Sequence, residues 1–418
     1  MKWTLSLFIL SLLILPASTL QFVEFCPDPY LARDADEYLV IAGDGTLDGI
    51  AISDGEGGFR FPPGTMIHGR ITVARDAAAY ATTHGSYPDF ELFDHSPAVQ
   101  DVIRGDDLYM SNTGDELLMY RGTELVDRIS WPGVLTAREG QVHFRDGDQW
   151  DPRVLLLGQS QICPRTFTDV SLTAFVSPDS SREAFTRALQ SANHSVYLNV
   201  YEFASPALAQ LLADTRARGV TVEVLLEGGP VGGITPEEKC CCRLMNQSGI
   251  PIYLMKAGNG EHSRYRFDHA KYFVIDGSAV FLTSENFKES GIPLAGTKGN
   301  RGWGVFIRDP RIADYFTGVY RDDRTGIDIE PYVPVESIAC ATGPGEDYTV
   351  EYPSAEISGA SVTPVLAPDT SALIAAMIRN ATGSVDIEQA YITNTSAGAL
   401  NPYLAAAVGA ARRGVTVR

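Results

Sequence analysis

Basic residues are scarce in this chain. Its 418 residues hold 33 Lys and Arg against 52 Asp and Glu, a formal charge of −19. Such a surface repels a nucleic-acid backbone unless a local basic groove overrides it, and its plainest use is solubility. Lys256, Arg264, Arg266, Lys271 and Lys288 lie close together in sequence and leave room for a local positive pocket. Long apolar runs are missing too. Beyond the first twenty residues no segment is long and apolar enough to span a membrane. Cysteines number only six. The run Cys240-Cys241-Cys242 has no second Cys/His pair at zinc-ligand spacing, so no metal site is expected. No lipid-attachment pattern surrounds Cys26.

Residues 1–20 read as a secretory signal. Lys2 supplies the positive start, Leu5 to Leu15 is apolar apart from Ser6 and Ser11, and Pro16-Ala17-Ser18-Thr19 offers small residues for cleavage. An uncleaved anchor is the rival reading. Either places the protein outside the cell or on its surface, where an even number of cysteines can oxidise. Cys26 and Cys163 bracket the first domain and are expected to pair. Adjacent cysteines pair only under strain, so one of Cys240–Cys242 is expected to reach Cys340.

The length allows two or three domains. Residues 22–163 are rich in Gly, Asp and Pro, with short alternating runs such as Tyr38-Leu39-Val40-Ile41, Ile50-Ala51-Ile52, Ile71-Thr72-Val73-Ala74 and Leu117-Leu118-Met119-Tyr120. Turn residues separate them, which predicts an all-β, antiparallel, immunoglobulin-like sandwich. The order Glu37-Tyr38-Leu39, Leu47-Asp48-Gly49, Phe61-Pro62-Pro63-Gly64-Thr65, Ile71–Asp76 and Asn112–Leu117 resembles a lamin-tail domain. That resemblance implies no catalysis of its own.

From residue 168 to about 335 the texture becomes α/β. Helices are predicted over Arg182–Asn193 and Pro206–Arg218, and strands over Val196–Phe203 and Val220–Leu226, giving a mixed sheet covered by helices. The unit then starts again in residues 355–418. Ser384-Val385-Asp386-Ile387 matches Ser195-Val196-Tyr197-Leu198, and Arg413-Gly414-Val415-Thr416-Val417 repeats Arg218-Gly219-Val220-Thr221-Val222 letter for letter. An internal repeat of this kind predicts two similar halves, the second of them incomplete within these residues.

The chemistry is concentrated in Phe267-Asp268-His269-Ala270-Lys271-Tyr272-Phe273-Val274-Ile275-Asp276. Side chains of a strand alternate faces, so His269 and Lys271 stand on one side. Ser284 and Asn286 follow, again two apart. A nucleophile, a cation and two hydrogen-bond donors suit a phosphodiester. The spacing His-x-Lys-x4-Asp, then Thr283-Ser284-Glu285-Asn286, resembles the phospholipase D superfamily. The resemblance implies that His269 attacks phosphorus and becomes a phosphohistidine, and that Lys271 neutralises the non-bridging oxygens. Asp276 completes the catalytic signature, but Asp276-Gly277 suits a turn, and its own part is read as structural. Ser284 and Asn286 would bind the phosphate. A second, protonated histidine would serve the leaving oxygen. No metal or other cofactor is required.

The family carries one His-x-Lys per half. First-half spacing puts the second roughly fifty residues beyond Gly414, past Arg418; otherwise two chains would pair as a homodimer. One departure stands out. Asn300-Arg301-Gly302-Trp303-Gly304-Val305 resembles a family segment that often has Glu at the third place, where a carboxylate would orient the histidine. This chain has Gly302, which leaves Glu202, Asp268 or Glu285 to take over, or His269 less well oriented and slower. The favoured substrate is a phospholipid head group. The alternatives are nucleic acid, cut by a secreted metal-independent endonuclease, and a non-catalytic surface-binding protein with a degenerate site.

Overall fold

The computed structural model describes residues 20–93, 96–131, 138–151, 153–256, 262–335, 338–340, 345–389, 391–393 and 400–418. Residues 1–19 of the expected secretory signal lie outside them. The chain divides into two units between Leu157 and Gly158. Among the described residues no helix is long and apolar enough to cross a membrane.

In the first unit the alternating runs form two sheets. One is built on Gln21–Cys26, Tyr38–Thr46, Met66–Ala74 and Gln141–Asp146; the other on Ile50–Ser53, Gly58–Arg60, Asp115–Arg121 and Glu124–Trp131. Alternate residues of each point to one shared core: Phe22, Leu39 and Ile41 from the first sheet meet Ile50, Ile52, Leu117 and Met119 from the second. The unit is not purely β. Ala77–His84 is a helix, started by Asp76, whose side chain accepts from the backbone N–H of Ala78 and Ala79, and closed by Gly85 at φ 72°. Its three leading alanines favour that conformation.

The expected Cys26–Cys163 bridge is not formed; both are free thiols. Cys26 is fully enclosed in the first unit beside Tyr38, Val40 and Val142, whereas Cys163 is exposed in the second. Bracketing a domain in sequence does not make two sulfurs neighbours. The second expectation is met: Cys240, on the helix Pro236–Gln247, is bonded to Cys340.

The second unit is built on a nine-stranded mixed sheet in the order Ile329–Pro331, Ile252–Met255, Thr221–Glu227, Ser195–Val200, Lys271–Ile275, Ala279–Thr283, Gly302–Ile307, Phe167–Ser177, Ala355–Val362. Ser195–Val200, Thr221–Glu227 and Ile252–Met255 run parallel; the other neighbours are antiparallel. Helices cover both faces, which explains the near-continuous apolar strands. Ser181–Gln190, Pro206–Ala217 and Pro236–Gln247 pack on the face of Val196, Leu198, Phe273 and Ile275. Pro310–Arg324 packs on the face of Tyr272, Val274, Val280 and Ile307. Lys271–Ile275 is thus buried on both sides, at the centre of the sheet. Caps set the helix starts: Ser205, Thr235 and Asp309 each accept from a first-turn N–H, with Pro next.

The internal repeat extends to strand register. Ser195 pairs with Thr221 and Val196 with Val222 in parallel, and Ser384 pairs with Thr416 and Val385 with Val417 in the same way. Helices Ala372–Asn380 and Pro402–Arg412 accompany the second pair and share a small core with it.

Candidate active site

Strand register decides what meets what. Lys271 pairs with Val200, the last residue of Ser195–Val200, and Tyr272 pairs with Leu282, next to the end of Ala279–Thr283. The segments that leave those ends, Tyr201-Glu202 and Ser284-Glu285-Asn286, therefore emerge at the same edge as His269. Glu227 ends Thr221–Glu227 at that edge too. Carboxyl ends of parallel strands are a common place for a site.

His269 lies in the extended lead-in to Lys271–Ile275 and is exposed. The Nζ of Lys271 stands 3.3 Å from His269 Nδ1 and donates to the His269 carbonyl at 2.9 Å. The Tyr201 ring lies 4.6 Å from the imidazole, and Lys271 Nζ 5.3 Å from the same ring. Desolvation, then the Lys271 charge, holds the imidazole below its ordinary value, partly opposed by Glu202. A neutral ring is what a nucleophile needs. Burial lowers Lys271 to about 8, against the carboxylates of Asp268, Glu202 and Glu285, which pull the other way.

The structure brings Asn286 to this group but not as a free donor. Its Nδ2 donates to Glu202 Oε2, and Lys288 Nζ donates to that same oxygen at 2.8 Å. Ser284 is exposed; its Oγ accepts from Trp303 N at 3.1 Å, and it lines a cavity of about 870 Å3 with Arg301, Trp303 and Tyr352. His269 and Lys271 line a different cavity of about 670 Å3, whose walls include Val305, Ile307, Phe316 and Val319. Thr283 touches both.

Asp276 is not at this edge. It follows Ile275 at the other end of the strand, about 23 Å from His269 by extended-chain length. Its carboxylate accepts from Asn193 N (2.8 Å), His194 N (2.8 Å) and Ser195 N (2.7 Å). Burial raises it, but those three donors outweigh burial and leave it below its usual value. The residue ties the start of Ser195–Val200 to the turn, at φ 53°. Though grouped with the catalytic signature, it is not in the catalytic set here: its part is the structural one that the turn pair Asp276-Gly277 suggested. Asp276→Ala is expected to cost about 2–4 kcal/mol, from three charge-assisted hydrogen bonds and a left-handed backbone, read as a lower denaturant midpoint. Folded Asp276→Ala keeps its turnover.

The missing carboxylate at position 302 has a physical counterpart. A Cβ on Gly302 would stand 2.3 Å from Cγ and 2.7 Å from Oε1 of Glu285. Glu285 therefore fills the space a side chain at 302 would claim, held by Asn300 Nδ2 at 3.0 Å. Of the three acids considered from sequence, Glu202 is the one whose charge acts on the imidazole. Asp268 is buried, its N–H donates to Glu227 at 2.6 Å, and desolvation raises its carboxyl. Asp323 is likewise raised by burial, then by Asp268, and accepts from Asn199 at 3.2 Å.

Sequence reasoning missed Tyr201, Glu227, Asn199 and Asp323. The usable signal was position: Tyr201 lies near the end of the predicted strand Val196–Phe203 and Glu227 directly follows the predicted strand Val220–Leu226, two strands the structure pairs in parallel. Of the five nearby cations, Arg264 is buried against Asp328 (2.8 Å) and the carbonyls of Asp322, Asp323 and Thr325, and Lys256 pairs with Glu330 (3.8 Å). Arg266 stands 5.8 Å over the Phe267 ring. Lys271 and Lys288 are the two that share the edge with Glu202.

Residues 185–323 match the family model described as "Cardiolipin synthase, PLD-like domain", a span that holds every site residue named above. That span belongs to the phospholipase D superfamily. Members of the superfamily act on phosphodiesters. Similar solved structures include Nuc, a phospholipase D family member from Salmonella typhimurium, at 22% identity and TM-score 0.33, covering 40% of this chain and 98% of that one. NucT from Helicobacter pylori is 20% identical with TM-score 0.30, covering 38% of this chain and 94% of that one. Phosphatidylserine synthase from Haemophilus influenzae is 15% identical with TM-score 0.30, covering 39% and 40%. No curated protein matches the chain.

Proposed function

We propose that this phospholipase D superfamily chain is an exported phosphodiesterase that cleaves phospholipid head groups through a phosphohistidine on His269. The supporting observation is the pair His269 and Lys271, 3.3 Å apart, on the wall of a 670 Å3 cavity that is otherwise largely apolar. An apolar cavity beside a phosphate-binding pair suits the hydrocarbon part of a lipid, and the net charge of −19 gives no help to a polyanionic strand. The imidazole attacks phosphorus and the head-group alkoxide leaves with a proton. Water then attacks the phosphohistidine, releasing phosphatidate and restoring the imidazole. The proton donor in this scheme is a second imidazole, from a further His-x-Lys half or a second copy of this chain.

The Cys240–Cys340 bridge supports an oxidising compartment, in keeping with export. The two-sheet first unit, on the residues quoted above, is read as a lamin-tail-type, immunoglobulin-like module with no catalytic part.

The test is the complete protein with phosphatidylcholine or phosphatidylethanolamine vesicles, and separately with plasmid DNA, all in chelator. Release of choline or ethanolamine with intact plasmid is the expected result. Plasmid cleavage without head-group release replaces the lipid reading with the endonuclease one. Inertness toward both favours the non-catalytic reading.

A further inference from the structure

Glu202 Oε2 receives two donors at once, Asn286 Nδ2 and Lys288 Nζ. Two cationic or amide donors converging on one anionic oxygen is the arrangement a phosphate oxygen requires. The signature reading used Asn286 for that purpose and gave Lys288 no role. Their meeting is enforced by the chain: Phe203-Ala204 and Phe287-Lys288 pair as short parallel strands, Phe203 with Phe287 and Ala204 with Lys288. Phe287 N also donates to the Glu202 carbonyl at 3.0 Å. The backbone thus fixes Glu202 beside Asn286 and Lys288, while the Lys288 side chain is only half-buried and reaches Glu202 at 2.8 Å. Asn286 Oδ1 is buried with no hydrogen-bond partner.

We infer that Lys288 is a second phosphate-binding cation, and that the Glu202 carboxylate is an internal competitor which holds Lys288 and Asn286 until substrate phosphate takes its place. The inference rests on the phosphodiester reading of the site. The charge of Lys288 is also felt by Lys271, whose ammonium it disfavours. Two ammonium groups at one edge would both be relieved by an arriving anion.

Inorganic phosphate is titrated calorimetrically into the complete protein, and turnover of bis(p-nitrophenyl) phosphate is measured in parallel. Lys288→Gln is expected to weaken phosphate about tenfold and raise KM by a similar factor, with little change in kcat. Lys288→Arg restores at least half of that loss. Glu202→Gln, which keeps the side chain's shape, tightens phosphate severalfold. Lys288→Gln binding phosphate as the parent does would overturn the inference. So would Glu202→Gln lowering kcat with affinity unchanged, which would make Glu202 a positioning residue for His269 alone. The reaction and this inference fail separately. Phosphate affinities that shift as stated without diester turnover would support the Lys288 role and count against the reaction. Turnover that needs His269 but ignores Lys288 would do the reverse.

Discussion

His269→Ala loses turnover of every phosphodiester substrate by at least ~10³-fold, with the melting temperature within a degree or two of the parent. The size of the loss follows from the role. A general base can be replaced in part by solvent, whereas a covalent intermediate cannot form without its nucleophile. The thermal neutrality follows from the place. His269 is exposed, in the lead-in to a strand whose apolar residues lie beyond it, and its ring touches Tyr201 and Lys271. The strand core of Tyr272, Phe273, Val274 and Ile275 is untouched by the change. Initial rates and a thermal scan on one preparation check both halves.

Lys271→Met gives the second large effect, and its two parts have opposite signs. Removing the ammonium is expected to slow turnover ~10²–10³-fold, because charge building on the phosphate oxygens loses its fixed cation. The same change is expected to stabilise the fold. Burial lowers Lys271 from 10.5 to about 8, so the charged form is favoured more in the unfolded chain than in the folded one. The cost is present in full below about pH 8 and fades as pH rises toward 10.5. A shift of that size corresponds to roughly 3 kcal/mol. The lost hydrogen bond to the His269 carbonyl takes back about 1 kcal/mol, leaving a net gain of ~1–2 kcal/mol and a few degrees in Tm. For the parent enzyme, kcat/KM falls above about pH 8 as Lys271 loses its proton. The acid limb lies below the usual imidazole value of 6.5, because partial desolvation of the ring beside Tyr201 and then the Lys271 charge disfavour its protonation, against Glu202. A pH–rate profile reads both limbs; Lys271→Met is expected to lack the alkaline one.

Legibility in the sequence tracked the distance along the chain between partners. His269 and Lys271 are two residues apart, so strand alternation was enough to place them side by side. The repeat was legible because Arg218–Val222 recurs at Arg413–Val417, and identical residues took an identical parallel register. The group of Glu202, Asn286 and Lys288 was not legible, since its members are joined across more than eighty residues by a two-residue strand pairing. Glu285 standing in the space above Gly302 is likewise a packing fact: the sequence showed the missing carboxylate but not which side chain filled its volume. Asp276 shows that membership of a signature is not membership of a site, as its turn-forming Asp-Gly pair indicated. The five-residue strand between them puts it at the opposite edge. The helix Ala77–His84 was overlooked because one turn-rich texture was extended over a short alanine run. Cys26 failed as a bridge partner because its side chain packs inward among Tyr38 and Val40.

The central claim is a covalent bond between phosphorus and the imidazole of His269. Its most direct measurement is rapid acid-free quenching of the complete enzyme during turnover of a phosphorus-labelled diester in chelator, followed by peptide mapping of the label. Label on the peptide that carries His269, absent from His269→Ala, is the predicted result. Label on another side chain, or turnover that requires a divalent ion and leaves no protein-bound phosphate, would contradict it.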